Sequence, residues 1–277
     1  MPELPEVETV ARTLEPMVRG RAIRDVQVLH KPVWQGELVP GLLPGRTIQG
    51  TGRRGKVLLI RLASLPEADE QSPTGLAFHL KMTGRLFVYP QDTPPGKHTR
   101  LILDLDDDSR LFFDDMRTFG YARAFNPATL AAWPFWQSLG PEPLEIGEND
   151  FVALFQRRNR AMKALLLDQT VLAGVGNIYA DESLFRAGIR PDARSGSVPE
   201  ARLKALHQHL AEVLNESIEA CGSSIRDYRT ARGDAGAFQN AFKVYGRGGK
   251  SCLLCGRALE QAKVAGRTTV WCPHCQA

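Results

Sequence analysis

The 277-residue sequence predicts an α+β protein: a helix with a β-sandwich at the N-terminus, a helical second domain, and a short cysteine-bearing tail. Two changes of apolar period and one change of composition carry that prediction. Apolar residues recur at helical spacing at the start, alternate in short runs from Ile23 to about Phe125, and return to helical spacing after a proline- and glycine-punctuated stretch.

Val7, Val10, Ala11, Leu14 and Val18 fall at i, i+3, i+4 and i+7, and Pro5 suits a first helical turn, so residues 5–15 form a helix that Pro16 should end or kink. In the alternating region Leu76, Phe78, Leu80 and Met82 are expected on one face, as are Leu101, Leu103 and Leu105. Pro134 to Pro143 has the composition of an interdomain linker. Beyond it, Ser197-Val-Pro-Glu200 has the pattern of a capping box, followed by Leu203, Leu206, Leu210, Val213, Leu214 and Ile218 at helical spacing. Residues from about 250 to 277 form the tail.

At 43% hydrophobic and 24% charged, the composition is that of an ordinary soluble globular protein, and no apolar run approaches the ~18 residues that span a bilayer. MPELPEVETV lacks the basic start and apolar stretch of a secretory signal, so a cytoplasmic protein is expected. The net charge of +4 alone selects no partner. Its distribution suggests a basic face from Arg53-Arg54-Lys56, Arg157-Arg158-Arg160-Lys163 and Lys243-Arg247-Lys250, and an acidic face from Asp104, Asp106, Asp107, Asp108, Asp114 and Asp115.

Cys252-x2-Cys255 and Cys272-x2-Cys275, sixteen residues apart, have the spacing of a four-thiolate zinc ribbon. One bound Zn2+ would supply folding energy that so short a segment lacks. Paired disulfides do not suit a cytoplasmic chain with a fifth, leftover cysteine, Cys221. Four cysteine ligands leave no open position, so the zinc is structural, and His274 is expected to stay exposed. Arg267 falls on the hairpin between the knuckles, where it could reach a phosphate.

In Met-Pro-Glu-Leu-Pro-Glu, acidic residues suit the first turn of a helix. The proline needs another reason. Once Met1 is removed, Pro2 offers a secondary amine with a pKa of roughly 8, a usable nucleophile at neutral pH. Here the sequence resembles the bacterial formamidopyrimidine-DNA glycosylases, the 8-oxoguanine DNA glycosylases of the helix–two-turn–helix class. The resemblance spans nearly the whole chain. It rests on Pro-Glu-Leu-Pro-Glu-Val-Glu-Thr at 2–9, Arg53-Arg54-Gly-Lys56, His79-Leu-Lys-Met82-Thr-Gly, Leu139-Gly-Pro-Glu-Pro-Leu144, Gly174-Val-Gly-Asn-Ile-Tyr-Ala-Asp-Glu182, Val244-Tyr-Gly-Arg247 and the cysteine knuckles.

The resemblance implies a catalytic β-sandwich domain at 1–133, a linker at 134–148, a helix–two-turn–helix DNA-binding domain at 149–243 and a zinc ribbon at 244–277. It implies an enzyme of base excision repair, acting as a monomer on damaged double-stranded DNA. Pro2 attacks C1′ of the lesion, Glu3 supplies a proton, and Glu6 belongs to the same catalytic group. Lys56 matches the β-elimination proton donor and Arg267 the δ-elimination arginine; both types equally suit phosphate clamps. His98, Arg158 and Asn177 fall where the family contacts phosphates, with Lys163 expected near the same surface. Gly174-Val-Gly before Asn177 independently suits a phosphate cradle at a helix start. Met82, Arg117 and Phe119 match side chains that fill the gap left by an extruded base. The chain departs from the family at Met116 and Thr118, where proline and a second arginine are expected. Its Pro66–Gly75 segment is long, and Ala231–Phe238, at the lesion-capping loop, offers no residue to match.

Three readings remain open: an oxidised-purine glycosylase, a pyrimidine-directed relative resembling endonuclease VIII, and a DNA-binding protein that has lost catalysis. Pro2, Glu3 and Lys56 argue against the third. Leu4, where the pyrimidine-directed relatives carry glycine, and Arg117 favour the first.

Overall fold

The computed structural model describes residues 1–64 and 71–276; positions 66–70 of the long Pro66–Gly75 segment lie outside the described residues. Helix α1 (Leu4–Val18) buries Leu4, Val7, Val10, Ala11, Leu14 and Val18. It does not stop at Pro16 as expected. A proline in the last turn forgoes a single ladder bond, the Arg19 N–H resumes the ladder on the Glu15 carbonyl, and burial of Val18 favours the extra turn.

Eight antiparallel strands follow: β1 (Ile23–Val28), β2 (Ile48–Arg54), β3 (Val57–Leu62), β4 (Gly75–His79), β5 (Gly84–Pro90), β6 (Thr99–Leu105), β7 (Ser109–Asp115) and β8 (Tyr121–Phe125). They form two four-stranded sheets, ordered β1-β6-β7-β5 and β2-β3-β4-β8. Registers such as Leu58 opposite Phe78, and Leu101 opposite Phe113, line the inward residues into one core shared with α1. Phe78 and Phe113 meet edge to face across it at 5.5 Å. Leu76, Phe78 and Leu80 share that core, whereas Met82 is 40% exposed. The strand ends at His79 and Lys81 takes φ +51°, which breaks the alternation before Met82.

The expected acidic face does not form. Asp104 is buried against Arg110 at 2.6 Å and Gln27 at 2.6 Å, and Asp115 is buried beneath its own turn. Asp107 and Asp108, at the β6–β7 turn, pair with Arg21 and Arg24.

Short helices α2 (Pro127–Ala131) and α3 (Pro134–Ser138) carry Trp133, Phe135 and Trp136 against Tyr121 and Phe125, so the proline-rich stretch begins as packed structure. The chain divides into two compact units. The first is Met1–Gln137 together with Cys221–Gly236, and the second Ser138–Ala220 together with Ala237–Ala277. Residues 221–236 were expected in the helical domain. They return to the sandwich because buried Tyr228 and Ala231 complete its core and the Ser223 N–H donates to Glu6 at 2.8 Å.

The second unit holds α4 (Glu148–Gln156), α5 (Met162–Leu167), α6 (Asn177–Arg186), α7 (Glu200–Glu219) and the hairpin β9 (Glu260–Val264) and β10 (Arg267–Trp271). The apolar stripe of α7 is buried as expected, but its capping box is not made. The N-cap is Pro199, and the Ser197 hydroxyl donates back to the Arg194 carbonyl within a 3-10 turn. Proline at the cap gives α7 a preset entry without a side-chain acceptor. Among the described residues, no helix is long and apolar enough to cross a membrane.

Candidate active site and nucleic-acid contacts

Pro2 and Glu3 are buried immediately ahead of α1, with Glu3 at its N-cap. The partial positive charge at a helix N-terminus favours acidic side chains at the cap and in the first turn, where Glu3 and Glu6 stand. Glu6, in the first turn, accepts the Glu3 N–H at 2.9 Å on one oxygen and the Ser223 N–H on the other. Tyr228 donates to the Glu6 carbonyl, and burial with the Glu6 charge beside it pushes its phenol above the ordinary range. The two N–H bonds tie the Glu6 carboxylate to the Glu3 backbone and to Ser223.

Lys56 is 7% exposed on the two-residue turn between β2 and β3. Contacts with α1 set its level: Thr51 Oγ1 donates to the Ala11 carbonyl at 2.7 Å, and Arg53 Nε meets Glu8 at 2.9 Å. The strand therefore runs toward the helix start. Lys56 follows three residues after Arg53, on the turn at the end of that strand.

His79 sits in an environment that the sequence did not reveal. Burial, with Lys81 and Lys56 facing it, lowers its pKa to about 3, so the ring is neutral. The Lys81 N–H donates to Nδ1 at 3.2 Å, leaving the proton on Nε2 as a fixed donor. His79, Lys81 and Lys56 all fall in motifs visible in the sequence; that both lysines face the buried ring was not.

Met82, Arg117 and Phe119 do come together. Arg117 Nη1 lies 2.9 Å from the Met82 sulfur, and its guanidinium sits 4.7 Å over the Phe119 ring. Phe119 is 52% exposed and Met116 53%, an apolar surface without a core to join. Buried Asp115 sets the turn, accepting the Arg117 N–H at 3.2 Å and the Gly120 N–H at 2.7 Å, with Thr83 also bonded to it. A Cβ at Gly120 would stand 2.7 Å from the Phe113 ring, so only glycine closes this turn. Thr118 and Lys81 both take positive φ, strain concentrated on the two turns that present these side chains. His98 lies beside the Asp115 turn: its carbonyl accepts the Asp115 N–H at 2.9 Å, and it lines a cavity of about 250 Å³ with Thr83, Arg85, Asp114 and Met116.

In the second unit Gly174, at φ +92°, leads into α6, whose first residue is Asn177. Asn177 Nδ2 donates to the Thr268 carbonyl at 3.1 Å, beside exposed Arg267 at the start of β10. Ala265 and Gly266, both at positive φ, form the two-residue turn that presents Arg267. Arg158 follows the C-cap of α4, one guanidinium N–H on the Leu154 carbonyl at 2.6 Å. Lys163 is not on this surface. It is fully buried, 2.6 Å from Asp181, because its ammonium serves protein acceptors. Buried Glu182 accepts the backbone N–H groups of Lys243, Val244 and Tyr245.

The Sγ atoms of Cys252, Cys255, Cys272 and Cys275 lie within 4.8 Å of one another, with 3.9 Å and 3.5 Å between two of the pairs. Tetrahedral zinc with bonds of about 2.3 Å requires thiolate separations of about 3.8 Å, so the set fits one structural zinc. His274 is exposed and Cys221 lies in the other unit, as the spacing implied.

Residues 1–122 match the formamidopyrimidine-DNA glycosylase N-terminal domain, 139–229 the formamidopyrimidine-DNA glycosylase H2TH domain, and 249–277 a zinc finger found in FPG and IleRS. A curated formamidopyrimidine-DNA glycosylase from Nitratidesulfovibrio vulgaris is 46% identical and one from Desulfitobacterium hafniense 40%, each pair covered over its full length. The crystal structure of the MutM (Fpg) protein from Thermus thermophilus matches at a TM-score of 0.86 and 40% identity, over 99% of this chain and 98% of that one. Lactococcus lactis Fpg in complex with DNA containing an abasic site matches at 0.89 and 35%, over 99% of each. With these relatives covered end to end and the same three parts in the same order, the chain belongs to the formamidopyrimidine-DNA glycosylase family.

Proposed function

We propose that this protein excises oxidised purines, 8-oxoguanine and formamidopyrimidines, from duplex DNA and then cleaves the strand, with the Pro2 amine as nucleophile. The observation that carries the proposal is Pro2 and Glu3 buried together at the N-terminus of α1. After Met1 is removed, the Pro2 nitrogen bonds to C1′, the bond from C1′ to the damaged base breaks as protonated Glu3 supplies the proton on the departing base, and the proton displaced from the Pro2 N–H returns to Glu3. Glu3 protonates the ring oxygen as the C1′–O4′ bond opens, which leaves an iminium, or Schiff base, on Pro2. The iminium withdraws electrons and acidifies the C2′ protons. Loss of one breaks the C3′–O bond, and a second elimination breaks C5′–O, with Lys56 and Arg267 as the candidate proton donors or phosphate clamps. His98, Arg158 and Asn177 hold phosphates, and Met82, Arg117 and Phe119 occupy the space the extruded base leaves. The zinc supports the fold of the ribbon.

Borohydride trapping on a duplex with 8-oxoguanine opposite cytosine tests this. One covalent adduct per chain is expected after Met1 removal, and none with a tag left upstream of Pro2. An adduct formed equally well by the tagged protein would place the nucleophile elsewhere. Glu3→Gln should lose excision while keeping much of its DNA binding, because an amide cannot donate the proton. Comparing 8-oxoguanine with thymine glycol separates the purine reading from the pyrimidine-directed one.

A further inference from the structure

The buried pair Lys163 and Asp181 is placed where it does more than hold helices together. Lys163, in the first turn of α5, is 0% exposed, and Asp181, one turn along α6 from Asn177, is 1% exposed. A buried ion pair is poor value as stabilisation, since removing both charges from water offsets most of their attraction. Its partners indicate another role. Lys163 Nζ, 2.6 Å from Asp181 Oδ1, also donates to the Thr269 hydroxyl at 2.7 Å and the Thr268 carbonyl at 3.2 Å. Asp181 Oδ2 accepts the Val270 N–H at 3.4 Å. One ion pair therefore grips three consecutive residues of β10. The Thr268 carbonyl is also the atom on which Asn177 docks, and the Thr269 hydroxyl donates to the Arg267 carbonyl at 3.0 Å.

We propose that Lys163 and Asp181 are positioning residues that hold Asn177 and Arg267 at a fixed separation, so that both engage the DNA backbone at once. The inference rests on the reading of Asn177 and Arg267 as phosphate contacts. From beneath the surface, the pair sets the Thr268 carbonyl that orients the Asn177 amide, and the strand start that carries Arg267. Two donors with a preset spacing bind adjacent phosphates without ordering the hairpin at the moment of contact.

Removing one partner alone would leave a buried unpaired charge and risk unfolding. The informative variant is the double replacement Lys163→Met with Asp181→Leu, which removes both charges while keeping an apolar fill; Thr269→Val is a milder second variant that keeps the pair. Each is measured for zinc content, thermal unfolding, affinity for a duplex carrying a tetrahydrofuran abasic-site analogue across a salt series, and single-turnover borohydride trapping at saturating DNA. The double variant is expected to keep one zinc and its cooperative unfolding, to bind about tenfold more weakly, and to lose about one unit of salt slope. Trapping at saturation should stay within about twofold, because Pro2 is untouched; Thr269→Val should shift affinity in the same direction by about threefold. If either folded variant binds with wild-type affinity and salt slope, the pair is a stability element only and the proposal is overturned. Asn177→Ala and Arg267→Ala serve as controls on the underlying reading. If these bind DNA normally, the reading of the phosphate contacts fails; if they bind weakly while the folded variants do not, only the present inference fails.

Discussion

Arg117 shows how a single side chain can be both held and available. Its backbone is fixed by Asp115, its guanidinium touches the Met82 sulfur and the Phe119 ring, and it remains at the surface. A cytosine left unpaired by an extruded lesion offers O2 and N3 as two acceptors for that fork, whereas adenine offers N1 beside a donor amine. Arg117→Ala should therefore flatten the preference for a lesion opposite cytosine over adenine by about five- to 150-fold, the scale of one bidentate contact. Met82→Ala and Phe119→Ala remove volume and no donor, so they should slow excision opposite both bases alike. Excision rates opposite cytosine and adenine for the three variants check this, and an unchanged ratio in Arg117→Ala would sink the assignment. His79 supports a second prediction at this scale. Its native pKa of about 3 lies below the unfolded value of 6.5, so between these limits the unfolded chain binds a proton that the native protein refuses. Stability is then lost as pH falls through that window, by about 1.4 kcal/mol per unit from this one group. Denaturant unfolding at pH 7, 6 and 5 should show a shallower loss in His79→Asn than in wild type; parallel curves would rule the histidine out as the source.

Among the elements, the ribbon depends on metal and the sandwich does not. Val244, Leu259 and Val270 make a small apolar cluster around Cys252 and Cys272, too little to order the tail without zinc. Cys272→Ser should release the metal and weaken binding to duplex DNA, while the sandwich keeps its own thermal transition. Elemental analysis with calorimetry tests both halves, and retention of a full zinc equivalent by the variant would contradict the four-thiolate site. The hairpin above the cluster is legible down to its turn, where Gly266 follows Ala265. Helix α7 teaches the opposite: Ser197 and Glu200 had the right spacing for a cap, but Pro199 took the N-cap position between them.

For the whole molecule, the first unit is discontinuous in sequence. Residues 221–236 bring Tyr228 and Ala231 into the sandwich core and satisfy the buried Glu6 carboxylate. A fragment of residues 1–137 would leave Glu6 without the Ser223 N–H and the core without Tyr228, a combined loss of about 3–5 kcal/mol. It should unfold in a broad, poorly cooperative transition, and fusing 221–236 to its end should restore a sharp one. Calorimetry of the two fragments decides the matter; equal cooperativity would mean that the returning segment is dispensable.

Local patterns were sufficient for the three parts of the chain, for the zinc ligands and for the family motifs, because period, spacing and residue chemistry are properties of neighbours in sequence. The four cysteines could be named for that reason. Burial is not such a property. Lys163 belonged to a basic run in the sequence, yet packing of α5, α6 and β10 enclosed it against Asp181. Glu6 looked like a first-turn acid and became the acceptor for a residue 217 positions away. His79 was one letter of a motif until Lys56 and Lys81 closed on it. Asp104 and Asp115 lost their place on an acidic face because strand pairing and a tight turn gave their carboxylates partners inside. In each case the decisive partner is remote in sequence or reached only through a backbone turn, so the tertiary structure alone determined the charge, tautomer and exposure of the side chain.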